Sequence, residues 1–343
     1  MARHQTTIID LARELGLSKS TVSRALTNHV NVHPDTRRRV LEAAQRTEYQ
    51  PNLLAQSLIR SETHLLGVVI PDIEKPFFAS IVSGIQQVAS AAGYRVIITQ
   101  SNESPTDEIA NLQALVLSRV DGLLVCHTRE TRTFDHVWLA HRKGIPVVEF
   151  ARVCEDLPVP KVVENDVAGS RAVVRHLLAC GARRVGLLTG PPDLLISRLR
   201  EEGYRVALAE AGVTVPDEWI FNTQFRRDDI AAALDHWLAL PEPPDAVFAI
   251  YDAGAVELLR LLKQRGIAVP DRVQVAGFGN DPVAELVEPA LTTYAQFPRE
   301  IGRQAFRFFL DQLVEQTTAD RLHVVPGELM VRESTRGFGA VPG

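Results

Sequence analysis

The chain has 343 residues, of which 45% are hydrophobic, and it carries a net charge of −5 with a mean hydropathy near zero. These values describe a soluble globular protein with more than one small domain. No apolar run is long enough to cross a membrane and the polar N-terminus shows no signal peptide, so we expect a cytoplasmic protein. Three scattered cysteines without metal-ligand spacing fit a reducing compartment and are expected to be packing residues: Cys126, Cys154 and Cys180.

Helical periodicity dominates the N-terminal residues. A first apolar stripe comprises Ile8, Leu11, Ala12 and Leu15. Gly16 provides the backbone freedom for a tight turn after this helix, and Ser18 is a favourable N-cap for a second helix at about 19–26. A third helix begins near Pro34, whose fixed φ suits a first helical position. Its expected buried residues are Val40, Leu41 and Ala44.

The second helix has an outer face suited to DNA. This face carries hydrogen-bond donors, namely Lys19, Ser20, Ser23 and Arg24. Periodicity alone would also fit any short helical bundle, but the positive charge of the N-terminal residues favours DNA binding. Residues 1–60 contain nine Lys and Arg against five Asp and Glu, a charge of +4, whereas the remaining chain carries −9. We therefore predict a basic headpiece that enters the major groove.

Short apolar runs then alternate with helix-prone stretches. A first series lies at 65–71, 94–100, 121–126 and 145–150. A second series has the sequences RVGLLTG, DAVFAI and RVQVAGF. Such runs, separated by ten to twenty helix-prone residues, are typical of βαβ units in a buried parallel sheet. The pattern predicts an α/β protein with two doubly wound sheets.

Three motifs carry a resemblance to a known family. They are DLARELGLSKSTVSRAL at 10–26, YQPNLLAQSL at 49–58 and PDIEKPFF at 71–78. The chain resembles the lactose/galactose/purine repressor family of bacterial transcription regulators, called LacI/GalR, over nearly its whole length. The resemblance implies an N-terminal helix-turn-helix headpiece with a hinge helix. A two-subdomain effector domain, similar to periplasmic binding proteins, would follow.

The resemblance also implies domain boundaries. The headpiece would occupy 1–60, with the hinge helix at about 51–60, and the effector-binding and dimerisation domain 61–343. Chain crossings are expected near 163, 293 and 326. They would divide this domain into an N-subdomain of about 61–163 and 293–325, and a C-subdomain of about 164–292 and 326–338.

The same resemblance implies which residues contact DNA. Lys19, Ser20 and Arg24 would contact base edges, and Arg24 can donate two hydrogen bonds to guanine. Phosphate contacts are expected from Ser18, Thr21, Asn31 and Arg37. The segment 51–60 alone suggests only an amphipathic linker helix. In the family pattern Leu58 would enter the minor groove from it and kink the operator.

A small effector is expected between the subdomains, beyond the carboxyl ends of the strands. Arg200 and Asp252 match the family's cleft arginine and its acceptor for ligand hydroxyls. Phe77 and Phe78 would stack on a ring or belong to the core. Further candidates are His127, Arg152, Phe225 and Asn280. A carboxylate, an arginine and aromatic rings fit a sugar, a sugar acid or a phosphorylated sugar.

Two departures from the family pattern leave the effector's identity open. Tyr251 stands where the family commonly has Asn, and Asn280 stands where an Asp is usual. The resemblance implies a homodimer on a pseudo-palindromic operator, and we expect no tetramer-forming tail because no leucine heptad follows the last strand.

Other function classes fit the sequence less well. The sequence lacks the GxxxxGK, HExxH and GxSxG motifs, so we expect neither an enzyme nor a metal or cofactor site. A transport solute-binding protein shares the two-lobed cleft, but its export would leave the basic headpiece unexplained. A regulator without a small-molecule effector is the other alternative.

Overall fold

The computed structural model describes residues 6–49, 62–315 and 321–335. The chain divides into two compact units between Thr63 and His64. The expected hinge helix, including Leu58, and the chain after residue 335 lie outside the described residues.

The first unit contains three helices whose ends follow from local hydrogen bonds. They are α1 (Ile8–Leu15), α2 (Lys19–Leu26) and α3 (Pro34–Arg46). Thr7 and Asp10 form a capping box at the start of α1, and Gly16 ends that helix with a φ of 65°. The Ser18 hydroxyl accepts a hydrogen bond from the Thr21 amide at the start of α2. The bounds of α2 agree with the sequence-based prediction.

The core of this unit is small and consists of one face of each helix. Leu11, Val22 and Val40 are fully buried. The prediction that Leu41 is buried was wrong, since 48% of it is exposed and Ala43 is buried instead. Val40 and Ala43 are three residues apart and share one helix face, whereas Leu41 is turned away from it.

The N-subdomain is built on a six-stranded parallel sheet in the order β2-β1-β3-β4-β5-β11. Its strands are β1 (Leu65–Ile70), β2 (Arg95–Gln100), β3 (Gly122–Val125), β4 (Val147–Phe150), β5 (Lys161–Glu164) and β11 (Leu322–Val325). Its helices are α4 (Pro76–Ala91), α5 (Pro105–Leu117), α6 (Asp135–Arg142) and α11 (Pro298–Glu315). Hydrophobic clusters cover both faces of this sheet.

The C-subdomain repeats the arrangement in the order β7-β6-β8-β9-β10-β12, with only β12 antiparallel. Its strands are β6 (Val185–Thr189), β7 (Ile220–Asn222), β8 (Ala246–Ala249), β9 (Gln274–Gly279), β10 (Thr292–Ala295) and β12 (Glu328–Met330). Its helices are α7 (Asp166–Ala179), α8 (Leu195–Glu210), α9 (Arg227–Leu238) and α10 (Asp252–Gln264), with 3-10 turns at Asp217–Trp219 and Pro282–Glu285. The predicted pair of doubly wound parallel sheets is confirmed.

The chain passes between the two subdomains three times. The crossings lie between β5 and α7, between β10 and α11, and between β11 and β12. The second crossing follows Ala295, because β10 pairs with β9 through that residue.

Two glycines allow α4 and α11 to pack backbone against backbone. A Cβ at Gly84 would lie 2.2 Å from the Arg299 carbonyl oxygen, and one at Gly302 would lie 2.2 Å from that of Ile81. We expect Gly84→Ala to lower the free energy of unfolding by about 2–3 kcal/mol, because the helices must separate. Urea unfolding of the variant measures this loss, and Gln86→Ala on the exposed face of α4 is the control. Equal stability of the two variants would contradict the prediction.

Candidate functional site

A cavity of about 650 Å³ lies between the two subdomains. Most of the residues around it follow the carboxyl end of a strand in one of the two sheets. Six predicted effector residues line it: Phe77, Phe78, Arg152, Arg200, Phe225 and Asp252. The predicted residues His127 and Asn280 are not in its lining.

Arg200 is held rigidly on α8. Its Nε donates to Asp166 Oδ1 at 2.7 Å, and its Nη1 donates to the Ile250 carbonyl at 2.5 Å. The guanidinium carbon lies 3.8 Å from the centre of the Phe278 ring. Arg200 and Asp166 are both buried, so neither charge is compensated by bulk water. The pair therefore fixes a cationic group in the wall of the cleft.

Asp252 begins α10 and holds the loops beside it. Its two carboxylate oxygens accept hydrogen bonds from the Thr293 hydroxyl at 2.6 Å and the Asp281 amide at 2.7 Å. Burial raises the pKa of Asp252 to about 6, although these hydrogen bonds oppose the shift. A direct contact with ligand hydroxyls stays a prediction, because both oxygens already have protein partners.

Aromatic rings lie on both sides of the cleft. Phe78 is buried in the N-subdomain core, whereas the neighbouring Phe77 is partly exposed. On the C-subdomain, Phe225 packs edge to face against Tyr251, with ring centres 4.9 Å apart. Phe77 and Phe225 are therefore rings that a ligand can reach, one on each side of the cleft, and the partly exposed Tyr251 lines the cleft beside Phe225.

The N-subdomain wall carries a group of charged side chains. Arg152 donates two hydrogen bonds to Glu103, at 2.8 and 3.1 Å, and its guanidinium lies over the Phe78 ring. Burial would raise the pKa of Glu103, but the Arg152 charge and hydrogen bond outweigh burial and lower it. Arg129 and Lys75 lie beside the same carboxylate.

Sequence reasoning missed a carboxyl group on the cleft floor. Glu164 ends β5 at the first crossing and accepts a hydrogen bond from Gln296 Nε2, at the second crossing, over 2.9 Å. Burial and the nearby Asp166 charge raise the pKa of Glu164 to about 7. No local sequence pattern marks this residue, because β5 is short and its place in the sheet depends on long-range pairing.

His127 lies in a buried ionic cluster outside the cleft. Its Nδ1 donates to Glu108 at 2.9 Å and its Nε2 to Glu149 at 2.5 Å, and His136 Nε2 also donates to Glu108 at 2.7 Å. Burial lowers the pKa of His127, but the two carboxylates outweigh burial and raise it to about 9. Burial likewise opposes the fall in the pKa of Glu108, which the two histidines hold far below its usual range.

The ligand atoms of Glu108, His127 and His136 lie within 4.8 Å of one another, a spacing that would also suit a metal ion. The hydrogen bonds among these residues account for the arrangement without one. We therefore describe this cluster as structural.

Asn280 also departs from the expectation. The Asn280 side-chain oxygen accepts a hydrogen bond from Arg332 Nη2 at 2.8 Å, and the Asn280 backbone N–H donates to the Thr293 hydroxyl at 3.3 Å. These hydrogen bonds hold Asn280 just after β9. Its two neighbours in sequence, Gly279 and Asp281, line the cleft.

The headpiece presents its predicted DNA face to solvent. Lys19, Ser20 and Arg24 are exposed on α2. The Ser18 hydroxyl lies 2.8 Å from those of Ser20 and Thr21. Of the predicted phosphate contacts that follow α2, Asn31 is exposed, and Arg37 Nη2 donates to the His29 carbonyl at 2.8 Å. Exposed donors on one short helix can reach a groove without rearrangement of the headpiece core.

Comparisons with known proteins identify both units. Residues 7–52 match the bacterial regulatory proteins of the lacI family, and residues 174–335 match a periplasmic binding protein-like domain. The HTH-type transcriptional repressor CytR of Escherichia coli K12 is 32% identical over 97% of each chain. Catabolite control protein A of Priestia megaterium is 30% identical over 96% of this chain and 99% of its own.

Solved structures agree with these sequence matches. The transcriptional regulator CelR in complex with cellobiose is 28% identical, has a TM-score of 0.72, and matches over 96% of this chain and all of its own. The lac repressor dimer bound to operator shares the fold with a TM-score of 0.84, at 23% identity over 96% of this chain and 99% of its own. Within the described ranges, no helix has the length and apolar character of a membrane span. The chain therefore belongs to the LacI family of bacterial regulatory proteins.

Proposed function

We propose that this protein is a transcriptional repressor whose affinity for operator DNA is controlled by a sugar or sugar derivative bound in the cleft. The observation that carries the proposal is the cleft itself, where Arg200 and two accessible aromatic rings meet between two parallel sheets. The CytR repressor and the cellobiose complex of CelR support the same function.

The chemistry of the cleft fits a hydroxylated ring. Phe77 and Phe225 offer apolar faces for the ring, and Arg200 offers donors to its oxygens. Glu164 can accept hydrogen bonds from ligand hydroxyls. A purely apolar ligand would cover the remaining hydrogen-bonding positions of Arg200 and Glu164 without pairing them.

The proposed mechanism couples this cleft to DNA. The protein acts in the cytoplasm as a homodimer, with one headpiece on each half of the operator and no catalytic step or cofactor. Effector binding changes operator affinity only by its preference between two conformations, typically about 1–3 kcal/mol. A transport role is disfavoured, because it would leave the exposed donors of α2 without a purpose.

The first test of this proposal combines operator selection with ligand screening. An operator is selected from random DNA with the full chain, and its affinity is measured with and without sugars, sugar acids, sugar phosphates and purines. We expect one chemical class to change operator affinity by about 5–150-fold. Tight operator binding that no compound changes would favour a regulator without a small-molecule effector.

Arg24 is expected to determine operator specificity. We predict that Arg24→Ala reduces the preference for operator over random DNA by about 1–3 kcal/mol, because a bidentate contact to guanine is lost. Fluorescence anisotropy with both DNAs measures this preference. Arg37→Ala, which removes the predicted phosphate contact on α3, should weaken binding to both DNAs equally. Equal weakening by Arg24→Ala would instead assign Arg24 to a phosphate.

A further inference from the structure

Three cationic side chains in the N-subdomain wall surround a single carboxylate. Lys75 precedes α4, Arg129 follows β3 and Arg152 follows β4, and all three line the cleft. Each lies within ion-pair distance of Glu103, whose side chain is 12% exposed. Asp72 and Glu74 also line this wall, so its charges are mixed, and its three cations are concentrated around Glu103.

Two of these cations keep hydrogen-bond donors available. Arg152 is hydrogen-bonded to Glu103, but Lys75 Nζ and Arg129 Nε each lie 3.6 Å from Glu103 Oε1. That separation is too long for a good hydrogen bond. Asp72 approaches Lys75 only to 4.0 Å and offsets part of the charge. Because both nitrogen atoms lie near the same Glu103 oxygen, they are close enough together for one carboxylate or phosphate group to contact both.

The cations are positioned before any ligand arrives. Arg152 lies 5.5 Å from the centre of the Phe78 ring, and Arg129 lies 5.7 Å from that of Phe225 on the opposite subdomain. The Arg129 amide also donates to Glu103 at 2.8 Å, which fixes the loop that carries it. A group bound here would therefore meet prearranged donors next to a ring-binding surface.

We propose that the effector is anionic, with a carboxylate or phosphate group that binds Lys75, Arg129 and Arg152. This inference rests on the proposed function and narrows the ligand to a sugar acid or a sugar phosphate. The anion would form charge-assisted hydrogen bonds at this wall. The hydroxyls of the ring would lie toward Glu164 and Gln296 on the cleft floor.

The test compares matched neutral and anionic ligands on the full chain. Isothermal titration calorimetry is performed with glucose, glucuronate and glucose 6-phosphate, and with ribose and ribose 5-phosphate. We expect an anionic member to bind at least about tenfold more tightly than its neutral counterpart. The preference should decline as salt is added, because the anion site is partly exposed. The two glucose derivatives distinguish a carboxylate from a phosphate.

Variants connect the preference to the proposed residues. Arg129→Gln and Lys75→Gln should each reduce affinity for the anionic ligand about tenfold and leave that for the neutral ligand unchanged. Arg142→Gln, which removes an exposed arginine from α6 outside the cleft lining, should retain the full preference. A preference that survives both cleft variants would overturn the inference.

The outcomes also separate this inference from the proposed function. If neutral sugars bind as tightly as anionic ones and change operator affinity, the effector-controlled repressor stands and the anion site is rejected. If no compound of either charge binds, the anion site and effector control are both rejected, while operator binding is judged by the DNA measurements.

Discussion

Replacement of Arg200 by Ala is expected to lower the free energy of unfolding by about 3–5 kcal/mol and to abolish the response to effector. The loss is large because Asp166 would stay buried without its cationic partner, and the Ile250 carbonyl and Phe278 ring would lose their contacts. Urea unfolding measures stability, and the change in operator affinity on ligand addition measures the response.

Two further variants separate the effect of the uncompensated Asp166 charge from the loss of the contacts that Arg200 makes. Arg198→Ala removes the exposed arginine two residues earlier on α8 and should change stability by less than about 0.5 kcal/mol. Adding Asp166→Asn to Arg200→Ala should restore part of the lost stability by removing the uncompensated charge, without restoring the effector response. A loss below about 1 kcal/mol in Arg200→Ala would show that Asp166 finds another partner.

Raising the pH from 6.5 to 9 is expected to destabilise the protein through His127. The pKa of His127 is about 9 in the folded protein, against an ordinary value of 6.5. Its charged form therefore contributes fully to stability below pH 6.5, and the contribution disappears as the pH approaches 9. The difference corresponds to about 3 kcal/mol, which urea unfolding at a series of pH values can measure.

His127→Gln should remove this pH dependence and lower the free energy of unfolding at pH 7 by about 3 kcal/mol, because Glu108 and Glu149 lose their shared cation. His236→Gln, which removes an exposed histidine from α9, should keep the dependence. If His127→Gln retains the same slope between pH 6.5 and 9, another group carries it, and His136 is the neighbour that also contacts Glu108.

The sequence predicted elements whose signals are local. The α2 helix has a strong N-cap at Ser18 and an apolar face, and its bounds were predicted correctly. The long apolar strands, such as β1 and β6, were predicted from their continuous apolar runs, and the structure buries nearly all of their residues. Strands β5, β7 and β11 have three or four residues and mixed polarity, so only pairing with neighbours defines them.

Candidate site residues were likewise predicted only as far as local sequence signals allow. Position after a strand located the region of the cleft, but it did not determine where each side chain points. His127 follows β3 and turns toward buried carboxylates, and Asn280 turns toward Arg332. Glu103 and Glu164 reach the site through contacts that are distant in sequence. These partners depend on the assembled sheets, which periodicity cannot specify.

The order in which the strands join the two sheets constrains how this chain is made. Both sheets receive an edge strand from the C-terminal part of the chain, β11 in one and β12 in the other. On a ribosome, the headpiece has its own core and can fold early, whereas neither sheet is complete until nearly all of the protein has emerged. A messenger truncated before residue 322 would therefore encode a chain with an intact headpiece but two unfinished sheets, which exposes strand edges to aggregation.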